Sequence, residues 1–202
     1  MFKNIIFDFG NVIAEFNPDK LTAPYAENKE DLRLLSDVVF DRLYWDGLDA
    51  GIISDDEAKE KIANRLPLHL KDAGLKVFDN WINNMTPVPN VREVIFKLKK
   101  EGKRLFLLSN ISIGFFENYK KTPWINEVLS EFDGLILSGV TGLLKPDPEV
   151  FEYILSKYNL KREETLFIDD SPKNIKGAEA VRLRGYLFNG DGLKLERFLS
   201  GL

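Results

Sequence analysis

The sequence contains no cysteine and a single histidine, His69. The first absence excludes disulfides, thiolate nucleophiles and cysteine-ligated metal centres. The second excludes a multi-histidine zinc site and leaves any Ser-His-Asp triad dependent on one residue. His69 stands in Leu66-Pro67-Leu68-His69-Leu70, where a surface or helix-start position is expected. No apolar run is long enough to cross a bilayer, and Met1-Phe2-Lys3-Asn4 leads into a short apolar stretch without the features of a signal peptide. A cytoplasmic protein with no membrane partner is the expectation. A positive surplus is also missing. The net charge of −4 and pI near 5.2 exclude a general affinity for nucleic acid, so any phosphate recognition must be local. Three signatures are absent as well: the G-x-x-x-x-G-K-[ST] loop of nucleotide hydrolases, the G-x-G-x-x-G turn of dinucleotide-binding oxidoreductases, and the G-x-S-x-G elbow of serine hydrolases.

What is present has the balance of a globular protein: 44% hydrophobic and 30% charged residues over 202 positions. That length holds one large domain, or a medium one carrying an insert. Asn4 to Phe9 is a nearly continuous apolar run ended by Gly10 and Asn11, as expected of a strand buried on both faces. Similar runs follow at Arg104 to Leu108, Gly134 to Leu137 and Thr165 to Ile168, with a weaker one at Arg184 to Phe188. Helical patterns alternate with them at Val91 to Glu101, closed by Gly102, at Pro148 to Tyr158, with Asp147 as N-cap, and at Pro172 to Val181. This alternation predicts an α/β fold with a doubly wound parallel sheet. The interval from about Pro18 to Met85 breaks the rhythm, with helical periodicity at Glu30 to Asp46, Asp55 to Arg65 and Leu70 to Asn84 and no strand. It reads as a helical cap, residues 17–86, inserted into a core made of residues 1–16 and 87–202. Thr86-Pro87-Val88-Pro89-Asn90 would be the return hinge.

Open α/β sheets bind ligands at the carboxyl ends of their strands. The predicted strands end in Asp8-Phe9-Gly10-Asn11, Ser109-Asn110 and Asp169-Asp170-Ser171, and Lys145 lies in a loop before a helix. Carboxylates converging on one point repel unless they are solvated or share a cation. Magnesium suits the second case, because Asp8 and Asp170 supply hard oxygens while water and a substrate phosphate complete its shell. Lys145 and the Ser109 hydroxyl would then bind phosphate oxygens, together with backbone N–H groups after Asp8.

In this order, Asp8-Phe9-Gly10-Asn11-Val12, Ser109-Asn110, Lys145 and Phe167-Ile168-Asp169-Asp170 resemble the four motifs of the haloacid dehalogenase-like hydrolases. The helical interval resembles the cap inserted after the first motif in that superfamily, and the likeness is greatest to its small sugar-phosphate phosphatases. The resemblance implies a Rossmann-like core and a magnesium-dependent phosphoryl transfer in two steps. Asp8 would be the nucleophile, while Lys145 and Ser109 would stabilise the phosphoryl group, with Asn11 and Asn110 in the same phosphate-binding set. Asp8, the Gly10 carbonyl and Asp170 would hold the metal, helped by Asp169. The partner would be a small phosphorylated metabolite and the protein a monomer or weak dimer.

One position departs from the pattern. The family's phosphatases usually carry a second aspartate two residues after the nucleophile as general acid and base; here it is Gly10. A leaving group that needs little protonation, such as an anomeric oxygen, would tolerate this, and water or Asp169 could stand in. The departure also admits a 2-haloacid dehalogenase, or an idle phosphate-binding module, as alternatives. In the helical interval Tyr44-Trp45-Asp46 and Trp81 are candidate substrate contacts whose aromatic spacing also fits a core. The stretch Asp49 to Asp55 suits either a lid tip or a plain connection with Ser54 as helix cap.

Overall fold

The structure, a computed structural model, describes residues 2–201. Seven strands form in chain order: β1 Asn4–Phe7, β2 Ala14–Glu15, β3 Thr86–Pro87, β4 Arg104–Ser109, β5 Gly134–Leu137, β6 Thr165–Asp169 and β7 Arg184–Leu187. Five of them make one sheet in the order β5-β4-β1-β6-β7. All its pairings are parallel, with Phe7 opposite Leu107 on one side and Ile168 on the other.

The strands are apolar throughout because both faces are covered, and successive side chains divide between two cores. Ile5, Phe7, Leu105, Leu107, Leu166 and Ile168 point to one. Ile6, Phe106, Leu108 and Phe167 point to the other. The first is closed by helices Val91–Lys100, Pro123–Leu129 and Gly192–Ser200, the second by Pro148–Lys157 and Pro172–Ala180. This is the expected doubly wound α/β core. Gly102 ends its helix at φ +77, a left-handed conformation that favours glycine. Asp147 occupies the N-cap position before Pro148, but its side chain makes no capping bond.

Between β2 and β3 the chain is helical, and the two short strands pair antiparallel, Ala14 opposite Pro87 and Glu15 opposite Thr86. The single helix expected over Glu30 to Asp46 is two, Lys29–Val39 and Arg42–Asp49. The break falls at Asp41, whose extended backbone leaves the helix while its carboxylate accepts from the Leu43 N–H at 2.9 Å. An N-cap aspartate restarts the helix in a new direction. The helix expected to run to Asn84 stops at Asn80. Ser54 caps Asp55–Arg65 in a reciprocal capping box with Glu57. His69 is exposed in a short 3-10 turn, its Nε2 3.5 Å from Asp31. No helix among the described residues is long and apolar enough to cross a membrane.

Candidate active site

The carboxyl ends of β1, β4 and β6 carry their chemistry to one edge of the sheet. The Asp8 N–H extends the ladder to the Ile168 carbonyl at 2.9 Å, so the residue after β1 is held in strand register. The chain then folds sharply. The Phe9 carbonyl accepts from Ile13 and Ala14, Asn11 is left-handed at φ 55, and its Oδ1 accepts from the Phe16 N–H at 3.0 Å. Asp8, Gly10, Asn11, Ser109, Asn110, Lys145 and Asp170 all line one cavity of about 580 Å³.

Lys145 is 5% exposed and organises the floor of that cavity. Its Nζ is 2.7 Å from Asp8 Oδ1 and 2.7 Å from Asp169 Oδ2. The Asn110 side chain fixes the lysine backbone from both sides, donating to its carbonyl at 2.9 Å and accepting from its N–H at 2.8 Å. The amide of Asn110, expected to bind phosphate, is therefore committed to placing Lys145. Asp169 is fully buried, and both of its oxygens are engaged: by Lys145, by the Ser171 N–H at 2.8 Å and by Asn174 at 3.0 and 3.1 Å. Asn174 and Lys173, which also line the cavity, escaped the sequence reading. Asn174 sits two residues past the Asp-Asp-Ser-Pro motif, in the first turn of its helix, and that spacing is its one sequence cue.

The electrostatics follow from burial. Desolvation is the largest influence on Asp8 and pushes its carboxyl up to about 6, against the pull of Lys145 and with a further push from Asp169. Burial alone would lower Lys145, but its two carboxylate partners outweigh it and hold the ammonium above the ordinary lysine value. Asp170 is raised by burial and by Asp169, and a hydrogen bond from Asn11 offsets part of the rise. Asp8, Asp169 and Asp170 each offer an oxygen within 4.8 Å of the others. Three carboxylates facing one ammonium leave two negative charges uncompensated, and a divalent cation with a preference for hard oxygens fits that donor set.

The roof comes from the helical segment. Arg42, Trp45, Asp46 and Asp49 line the cavity at i, i+3, i+4 and i+7, one face of helix Arg42–Asp49. Arg42 pairs with Asp46 at 2.5 Å. Trp45 and Trp81 are at once core and wall. They meet edge to face at 5.3 Å and belong to a cluster with Phe16, Phe40 and Phe78, while their rims reach the cavity. Tyr44 is buried away from it. Gly51, at φ +69, lies so close to the floor's Gly139 that a Cβ would stand 2.5 Å from the Gly139 carbonyl oxygen. The Asp55 carboxylate fills the space a side chain at Gly114 would need. Roof and floor thus touch through glycines.

Comparison with known proteins gives a family profile described as haloacid dehalogenase-like hydrolase, matching residues 2–182. A sesquiterpene phosphatase of Aspergillus oryzae is 24% identical over 91% of this chain and 88% of its own. A D-ribitol-5-phosphate phosphatase of Bacteroides thetaiotaomicron is 29% identical over 87% and 86%. In fold, the chain is similar to a HAD family enzyme of Bacteroides thetaiotaomicron solved with magnesium and inorganic phosphate, with a TM-score of 0.75 at 20% identity, covering 96% of this chain and 99% of that one.

Proposed function

The chain belongs to the haloacid dehalogenase-like hydrolases, and on that premise we propose that it is a magnesium-dependent phosphatase acting on a small phosphate monoester through a phosphorylated Asp8. The observation that carries this reading is the floor itself: a buried lysine bridging two aspartates, with a third aspartate and a serine hydroxyl beside them at the strand ends.

In the proposed reaction an Asp8 oxygen attacks phosphorus in line, the bond to the ester oxygen breaks, and the alcohol leaves with a proton. Water then attacks the aspartyl-phosphate, releasing phosphate and restoring the carboxylate. Lys145 neutralises charge on Asp8 and on the transferring group from a position that Asn110 and Asp169 fix in advance. Ser109, buried at the end of β4, offers its hydroxyl to a phosphoryl oxygen. Magnesium, when held by Asp8, the Gly10 carbonyl, Asp170 and the neighbouring Asp169, supplies further charge neutralisation on the phosphoryl oxygens. The helical segment 17–86 acts as the cap over this site.

A sugar or polyol phosphate suits the cavity best. Its volume of about 580 Å³ is in the range of small-ligand sites. Asp46 accepts hydrogen bonds from hydroxyls, while Trp45 and Trp81 offer flat apolar surface. The test is phosphate release from p-nitrophenyl phosphate and a panel of sugar phosphates, with and without magnesium, by the wild type and Asp8→Asn. Release that requires magnesium and vanishes in the variant is expected. Metal-independent release of halide from a 2-haloacid, with no phosphate released, would assign carbon chemistry instead.

A further inference from the structure

The alcohol displaced from phosphorus needs a proton; the Lys145 ammonium is held above the ordinary lysine value by its two carboxylates, and no carboxyl group of the floor is free to give one. Gly10 has no side chain, and no atom beyond its chain neighbours lies within 4 Å of where its Cβ would stand. Asp8 is the nucleophile, and Asp170 belongs to the metal set. Asp169 spends both oxygens on Lys145, Ser171 and Asn174. Three other carboxylates line the cavity. Asp147 is exposed at its mouth, and Asp46 is ion-paired with Arg42. The third is Asp49, half-buried at the end of the roof helix, and among the described residues no hydrogen bond or ion pair takes its carboxylate.

We propose that Asp49 is the general acid of this enzyme, protonating the leaving alcohol from the roof and then, as the carboxylate, taking a proton from the attacking water. The inference rests on the phosphatase reading and extends it. Geometry places the group. Asp49 lies two residues before Gly51, whose close approach to Gly139 holds this end of the helix against the core and so keeps the acid at the cavity. Its environment suits the work: burial, the largest influence, lifts its carboxyl to about 7. Arg42 on its own helix opposes the rise, while Asp46 on the same helix and Asp8 across the cavity add to it. Lys145, Asp170 and Lys173 are the other charged groups facing the cavity from the core, with Asp147 at its mouth. An acid titrating near neutrality combines a large protonated fraction with an effective proton transfer.

The experiment compares kcat/KM for glycerol phosphate, whose alkoxide is a poor leaving group, with that for p-nitrophenyl phosphate, whose phenolate leaves without help. This ratio reports the phosphorylation step alone. Asp49→Asn is expected to lower kcat/KM by about 10²- to 10⁴-fold for glycerol phosphate and far less for the aryl ester. It should also abolish the fall in wild-type glycerol phosphate activity above about pH 7. Gly10→Asp, placed in the open space of the floor, should restore part of the loss in the Asp49→Asn background. Equal losses on both esters, or an unchanged alkaline limb, would overturn the role of Asp49 and leave the phosphatase reading standing. Silence of the wild type toward both esters would overturn the two readings together.

Discussion

The floor and the roof of the cavity are built on opposite terms. On the floor the central charges are buried, paired and held by further hydrogen bonds: Lys145 with Asp8 and Asp169, Asn110 with the Lys145 backbone, Asn174 with Asp169. On the roof one helix presents an ion pair and an unpartnered carboxylate, and it meets the floor through bare backbone at Gly51 and Gly139. A floor of this kind fixes one phosphate geometry for any ester. A roof of this kind meets whatever part of a ligand lies beyond the floor.

Substitutions on the floor should hit hardest. Asp8→Asn removes the nucleophile and should abolish turnover while the far-ultraviolet circular dichroism stays unchanged. Lys145→Ala should cost both activity and fold. It strands two buried carboxylates, and urea denaturation should show a loss of about 3–5 kcal/mol.

Smaller effects belong to the roof. Gly51→Ala forces a side chain into the left-handed region and against the Gly139 carbonyl, and should cost about 1–3 kcal/mol together with catalytic efficiency. Gly102→Ala is the matched control. It has the same sign of φ but open space around the added methyl, so it should lose stability without losing efficiency. Equal catalytic losses in the two variants would remove the Gly51 contact from the argument. Ser54→Ala deletes the capping box and should cost about 0.5–2 kcal/mol, read as a shift in the denaturation midpoint.

A separate readout of the roof is pH-dependent stability. The folded state keeps a proton on Asp49 up to about pH 7, whereas an ordinary aspartate releases it near 3.8. Between those values the native state binds more protons than the unfolded one, so this group makes stability fall as pH rises. Asn at 49 removes that contribution. The stability of Asp49→Asn relative to wild type should therefore rise across the interval and level off above it.

The two regions were also unequally legible in the sequence. Strand runs buried on both faces are short and apolar, and they place their last residues at one sheet edge whatever the helices do. Asp8, Ser109 and Asp170 could therefore be read directly. The roof depended on one local event. Helical periodicity continues smoothly through Phe40 and Asp41, and only the competition between the Asp41 side chain and the helix backbone breaks it. That break aims Arg42 and Asp49 at the cavity, so an uninterrupted helix over Glu30 to Asp46 hides Arg42, while Asp49 reads only as the start of a lid tip or connection and not as the end of a cavity-lining helix. The resemblance implies a phosphate-binding role for Asn110, and the sequence gives no cue to its partner, the Lys145 backbone, 35 residues away. The ribbon β2–β3, two residues on each side, carries too little pattern to be recognised.

The ribbon also acts as a junction. Its paired strands bring the two ends of the intervening segment together, with Glu15 opposite Thr86, about 5 Å apart in the hydrogen-bonding direction. To the sheet, the seventy residues between them are equivalent to a hairpin turn, because loop-closure entropy grows only slowly with length. The five-stranded ladder pairs without this ribbon, so the length of the roof segment can change at this junction at small entropic cost to the sheet.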